Sequence, residues 1–479
     1  MLFTSLSFIV FFTICLLIFY RIKASLQYHV LLLGSCLFIG YFNVLFLLIA
    51  LSISLFTFYW GRWLAGLQRE TTKKRVFISG IIILCLSLIL FKYLGFIEEN
   101  LQLLLNWCGI NWHLPKTTVL FPLGISFYTF QAISYLIDIY WEEEKPKASP
   151  VNFLLYMLFF MKFLSGPIER SYDMLPQLQE GKKFNYATTI YGMKLIGIGL
   201  MKKVIIADRL APHLDSVFDA VQDASGLQLL LAGLLYPLQL YTDFSGYTDM
   251  AIGGAAMFGL KLSPNFNRPF VATTITDFWR RWHISLSSWV RDYLYSPIAA
   301  AKRDWGQWGI IYALLITFTI LGIWHGAGWN YMIYGLLQGI FVSYEIFTPT
   351  VRERTKKFLG NIFFNVVYIL RTYLLFAFSL LFFRLETFTD ITYYLKHLSF
   401  QVNSYYKEFK LGMSDHDLII LGCGIFLMFL YEYFMSKKDL LNALSRQPGI
   451  VRWSIYYIII LVIFIFGELG NENFIYLQF

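Results

Sequence analysis

Two histidines stand where an imidazole would have chemistry to do. His325 lies in WHGAGWN, residues 324–330, and His283 in DFWRRWHISLSSW, residues 277–289. An imidazole titrates near neutral pH, so it can take a proton from a hydroxyl or return one to a leaving group. A lone histidine beside an apolar stripe is more often a satisfied structural residue, and both readings of His283 stay open. Tyr476, in FIYLQF at residues 474–479, supplies a phenol. With a pKa of about 10, a phenol is a weak nucleophile until a base removes its proton. Asp243 and Asp249 lie in LYTDFSGYTDMAIGGAAMFG, residues 240–259. They either act in catalysis or cap helices and pair with basic residues to lock packing. Asp277 is one helical turn from Arg280 and Arg281, a spacing that suits a local ion pair. The seven histidines show no H-x-x-x-H or H-E-x-x-H spacing, and the five scattered cysteines form no C-x-x-C, so no metal site is indicated. Neither a G-x-S-x-G elbow nor a P-loop occurs.

These polar residues are set in a very apolar chain. Of 479 residues, 57% are hydrophobic and 14% are charged, against about 25% charged in soluble domains. The expected fold is an all-α polytopic membrane body of about 10–12 transmembrane helices, with re-entrant or interfacial helices besides. Apolar runs place helices near 2–20, 29–42, 43–60, 76–92, 119–140, 151–164, 186–206, 226–241, 247–260, 309–323, 331–347, 361–384, 417–435 and 452–467. The run from Gly309 to Ile323, about 15 residues, rises only roughly 22 Å. The glycine-rich turn holding His325 is therefore expected at membrane depth, where irregular backbone must be buried in protein or line a wet cavity. Trp282, Leu286, Trp289 and Tyr293 form one stripe, which predicts an interfacial amphipathic helix starting near Asp277, with Thr274 or Thr276 as its N-cap.

The net charge of +9 is read as positive-inside loops, not as a nucleic-acid surface. The loops GRWLAGLQRETTKKRV (61–76), RERTKK (352–357) and SKKDLLNALSRQPGIVR (436–452) are basic. The first apolar run has its basic residues, Arg21 and Lys23, after it, the reverse of a secretory signal. This orientation places both termini, and FIYLQF, on the outer side of a multi-pass protein.

The ordered set YTDFSGYTDMAIG, NFNRPF, DFWRRWHISLSSWVRDYLYSPI and WHGAGWNYMIYGLLQG resembles the membrane-bound O-acyltransferase family, in particular its bacterial alginate and peptidoglycan O-acetyltransferase branch. FPLGISFYTFQAISYLIDIYW (121–141), FLSGPIER (163–170) and LLFFRLE (380–386) resemble it too. The resemblance implies N-terminal transmembrane helices over 1–115, a catalytic core with a central tunnel over 116–470, and an extracytoplasmic F-x-Y-x-x-F tail over 471–479. It implies catalytic roles for His325, His283 and Tyr476. Trp324, Asn330, Asp243, Asp277, Gln131 and Ser126 would line the tunnel, and Arg280 and Arg281 would hold donor phosphates. The implied donor is acetyl-CoA, with no permanently bound cofactor and no metal. The implied partner is an extracytoplasmic SGNH/GDSL serine-hydrolase-like O-acetyltransferase that modifies a polysaccharide, peptidoglycan or alginate-like. The implied location is the bacterial cytoplasmic (inner) membrane. From Gly467, nine extended residues reach roughly 30 Å, enough to bring Tyr476 back toward His325.

Two alternatives remain at this level. One is transfer of another acyl group such as D-alanine to teichoic acid, for which the resemblance implies a separate carrier protein. The other is a polytopic transporter whose polar centre is a pathway.

Overall fold

A computed structural model describes residues 1–115, 117, 119–399, 408–437 and 439–470. Its described residues form helices and no strand. Seven of the helices are long and apolar enough to cross a membrane: Ala24–Phe42, Val44–Ala65, Glu70–Trp107, Gln307–His325, Pro349–Arg384, Asp415–Met435 and Gly449–Phe466. Leu6–Arg21 and Pro150–Phe163 are shorter apolar helices. The chain is an all-α multi-pass membrane protein. FIYLQF, with Tyr476, lies outside the described residues.

The chain divides into two compact units. Of the described residues, unit 1 holds those within 1–186, 255–263 and 326–328, and unit 2 holds those within 187–254, 264–325 and 329–470. Unit 1 is built from α1 (Leu6–Arg21), α2 (Gln27–Phe42), α3 (Val44–Ala65), α4 (Glu70–Leu88), α5 (Leu94–Trp107), α6 (Ile125–Tyr140) and α7 (Pro150–Leu158). Apart from its last residue, α6 is buried throughout. It approaches α3 and α4 closely because Gly61 leaves room for Tyr135 and Ile139, and Gly80 leaves room for Leu136. Phe258 docks on the Phe12 and Phe19 rings, at 5.3 and 5.2 Å between centroids. Glu169 accepts hydrogen bonds from the Ser263 backbone N–H at 2.6 Å and its hydroxyl at 3.0 Å.

Unit 2 carries α8 (Tyr186–Leu200), α9 (Asp208–Phe218), α10 (Gly226–Met257), α11 (Ile275–Trp279), α12 (Ile284–Val290), α13 (Gln307–His325), α14 (Trp329–Phe347), α15 (Pro349–Arg384), α16 (Asp415–Met435) and α17 (Gly449–Phe466). Between α8 and α9 the chain makes a π-helical stretch, Met201–Ala207. Such widened turns often mark functional segments.

Three expectations are corrected. The helices expected at 226–241 and 247–260 are one 32-residue helix, α10, which continues through Pro237. Its internal aspartates are paired with lysines, so they do not break it. The single amphipathic helix expected from Asp277 is interrupted, because His283 takes a left-handed conformation, φ 44° and ψ 55°, between α11 and α12. Finally, His325 is not in the glycine-rich turn but is the last residue of α13.

The α13–α14 pair positions that histidine. A Cβ on Gly322 would lie 2.3 Å from the Tyr331 carbonyl oxygen and 2.8 Å from Gly335 Cα. Backbones therefore touch at the crossing, the small-residue packing that membrane helices use in place of a hydrophobic drive. Gly322→Ala should lower stability by about 1–3 kcal/mol, the usual cost of overpacking. Gly422→Ala, where a Cβ meets nothing within 4 Å, should be neutral or slightly stabilising. Thermal unfolding in detergent checks both, and equal melting temperatures for the two variants would contradict the crossing.

Candidate active site

His325 is 5% exposed and sits in an aromatic cage. Its ring centroid lies 5.0 Å from Trp324, 5.4 Å from Phe383 and 5.8 Å from Tyr334. His283, 1% exposed, stands edge-on to Phe244 at 4.7 Å and lies 6.5 Å from the same Trp324. The structure thus brings the two histidines onto one buried indole. Burial, and secondarily the nearby His325, hold the His283 imidazole well below its usual pKa. It is therefore neutral at physiological pH and able to accept a hydrogen bond or a proton.

The local fold around His283 is over-determined. The Asn265 carbonyl accepts from Ile284 N–H at 2.8 Å. The Asn265 Oδ1 accepts from Ser285 N–H at 3.2 Å and from the Ser285 hydroxyl at 2.8 Å. Asn267 N–H donates to the Arg281 carbonyl at 2.9 Å. These bonds meet the first amides of α12 and hold the left-handed residue in place. A non-glycine residue in that region costs roughly 1–2 kcal/mol, and such strain clusters at functional sites. At the other end, the α11 N-terminus is capped twice. Thr274 Oγ1 accepts from Asp277 N–H at 2.9 Å, and Glu345 accepts from the Ile275 and Thr276 N–H groups at 2.7 and 3.1 Å.

A second cluster lies on the π-helical stretch. Lys203 Nζ is 2.7 Å from both Asp208 and Asp243, with all three side chains 5% exposed or less. Lys202 meets Asp249 at 2.8 Å. Asp243 and Asp249 are thus partners of lysines. The Lys203 cluster borders a cavity of about 400 Å³, whose walls include Gln239, Tyr331, Phe383, Arg384 and Glu386. Phe383 is shared, since it lines the cavity and packs on His325. Arg384 bonds Asp215 and Asp219 at 2.9 and 2.8 Å.

The remaining expected site residues lie on several elements. Asn330 donates to the Leu385 carbonyl at 3.2 Å. Asp277 pairs with Arg281 at 2.9 Å, and Arg280 is exposed. Ser126 and Gln131 are buried on α6 in unit 1. Sequence reasoning missed Lys203, Asp208, Gln239, Asn265, Glu345 and Arg384. The clearest available signal was KKVIIAD, residues 202–208, a pair of lysines inside an apolar run.

Residues 142–387 match MBOAT, the membrane-bound O-acyltransferase family. That span is about half of the chain and contains both histidines, the lysine cluster and the cavity wall. The chain belongs to the membrane-bound O-acyltransferase family. As a member it is similar to a probable alginate O-acetylase, AlgI, of Azotobacter vinelandii, 34% identical over 68% of this chain and 65% of that protein. It is 36% identical to a peptidoglycan O-acetyltransferase of Helicobacter pylori over 65% of this chain and 63% of that protein. A teichoic acid D-alanyltransferase of Bacillus subtilis is 32% identical over 54% of this chain and 68% of its own length. The matched region spans slightly less than two thirds of the first two relatives.

Two outcomes follow from this geometry. Removing one member of a buried ion cluster costs about 3–5 kcal/mol, so Lys203→Met should lose most folded protein. Adding Asp208→Asn and Asp243→Asn should restore much of it, read as monodisperse yield in detergent. At position 283, glycine should melt higher than alanine, because both lose the imidazole but only glycine adopts φ 44° freely. Equal melting points would remove the strain argument.

Proposed function

We propose that this protein is a membrane-bound O-acetyltransferase. In this reading it takes acetyl from acetyl-CoA on the cytoplasmic side of a bacterial inner membrane. It passes the group through Tyr476 to an exported SGNH-type partner, which acetylates a cell-surface polysaccharide such as peptidoglycan or an alginate-like polymer. Both termini lie on the outer side. The observation that carries the reading is the placement of His283 and His325 on one buried tryptophan beside a polar cavity, in a chain of this family.

The chemistry asks for an imidazole base. His325 removes the phenolic proton of Tyr476, and the phenolate oxygen attacks the thioester carbonyl. The C–O bond forms, the C–S bond breaks, and the imidazolium returns the proton to the departing thiolate. The products are CoA thiol and an aryl acetate. An aryl ester is activated, so a serine hydroxyl of the partner can take the acetyl and regenerate the phenol.

The anchoring of residues 467–470 supports the tail reading. Arg209 donates to the Phe466 carbonyl at 2.5 Å and meets Glu468 at 3.1 Å, while Glu468 N–H donates to the Val204 carbonyl at 2.9 Å. Lys203, Ala207 and Asp208, which flank these contacts in sequence, line the cavity. From Gly470, six extended residues reach about 20 Å.

His325→Ala and Tyr476→Phe should each reduce polysaccharide acetylation to background while membrane levels of the protein hold. Normal acetylation in Tyr476→Phe would sink the relay. Mass spectrometry of the 471–479 peptide after donor exposure should show an acetyl adduct on Tyr476. An alanyl adduct there would instead select the D-alanine reading.

A further inference from the structure

The cavity carries a charge pattern that the acyl-transfer reading does not need. Its walls hold Asp208, Asp215, Asp219, Asp243 and Glu386 against Lys203 and Arg384. Both cations are already bridged between two carboxylates at 2.7–2.9 Å. The formal excess is therefore negative, and no cation is left over to neutralise an arriving anion. Gln239 adds a separate observation. It is 4% exposed and lines the cavity, and its Oε1 accepts no hydrogen bond among the described residues. A buried amide oxygen without a partner is costly unless a ligand or water meets it. It asks for a donor.

We propose that this chamber is a charge-selective acceptor site. It takes an uncharged or cationic group that donates a hydroxyl or ammonium hydrogen bond to Gln239, and it turns anions away. A cavity whose walls carry an excess of one sign of charge focuses a field of that sign inward. A polyanionic polymer and the phosphates of CoA are excluded on the same ground, whereas a phenol enters. The phenol as natural occupant rests on the acyl-transfer reading; the charge selection does not.

The experiment uses the full chain with Ala211→Cys, a small change in the cavity wall, and reads modification of residue 211 by peptide mass spectrometry. Ala207→Cys, also in the wall, serves if the first variant folds poorly. A cationic trimethylammonium methanethiosulfonate should react at least about tenfold faster than its anionic sulfonate counterpart, after each is normalised to a free thiol. That preference should shrink severalfold in the Asp219→Asn, Glu386→Gln background and at high salt. A ratio equal to that of the free thiol, or one that neutralisation leaves unchanged, overturns the selection.

The second arm measures occupancy. p-Cresol and tyramine should protect residue 211 from a neutral maleimide, and 4-hydroxyphenylacetate should not. Gln239→Leu should abolish the protection. Equal protection by all three phenols, protection by none, or protection that survives Gln239→Leu refutes the acceptor site. None of these outcomes bears on acetylation by Tyr476→Phe, so the two readings fail separately.

Discussion

The Lys203 ammonium, 2.7 Å from both Asp208 and Asp243, is the contact on which unit 2 turns. Each carboxylate belongs to a different helix, α9 and α10, and the lysine to the π-helical stretch that precedes α9. One buried cation therefore sets the placement of three segments. Two adjacent charged carboxylates would repel strongly in a medium of low dielectric, and the lysine between them offsets that repulsion. The surrounding backbone allows the approach. A Cβ on Gly199 would lie 2.5 Å from the Gly246 carbonyl, and one on Gly253 equally close to that of Gly192. Lys202 repeats the device one residue earlier with Asp249, and Tyr241, on the same helix as Asp243 and Asp249, donates to Glu432 of α16. The cavity wall includes this cluster, and Phe383 links that wall to the aromatic cage around His325.

Much of the architecture was legible because hydrophobic runs report helices directly. The expected helices at 29–42, 417–435 and 452–467 fall within a few residues of Gln27–Phe42, Asp415–Met435 and Gly449–Phe466. Thr274 was a readable cap, and the Asp277–Arg281 pair was readable from its spacing. What escaped were features whose signal is tertiary. The apolar runs 226–241 and 247–260 were separated by a polar stretch holding Asp243, because the sequence does not show that Lys203 meets that carboxylate. The apolar stripe from Trp282 to Tyr293 predicted one helix because periodicity is blind to a single left-handed residue. That residue is held by Asn265, some eighteen positions earlier. Likewise the apolar run after Gly309 stopped being counted at Ile323, although the helix continues through Trp324 and His325 because both are buried in aromatic packing.

The two histidines are mounted by different means. His283 is held by a hydrogen-bonded clamp around a strained backbone, and would shift if any of the Asn265 bonds were lost. His325 is carried on a helix whose crossing with α14 is made by glycine backbones, with no side chain in between. The first mounting is a local device that depends on one residue's chemistry. The second depends only on the absence of side chains.

That second mounting has a consequence for how the molecule can change. Because backbone meets backbone where Gly322 crosses Gly335, the path of the helix that carries His325 is set by glycines, while Tyr334 and Phe383 pack on the ring itself. The placement of the helix end and the make-up of its surroundings are thereby carried by different residues. A lineage, or a designer, can vary the cavity wall without rebuilding the helix crossing.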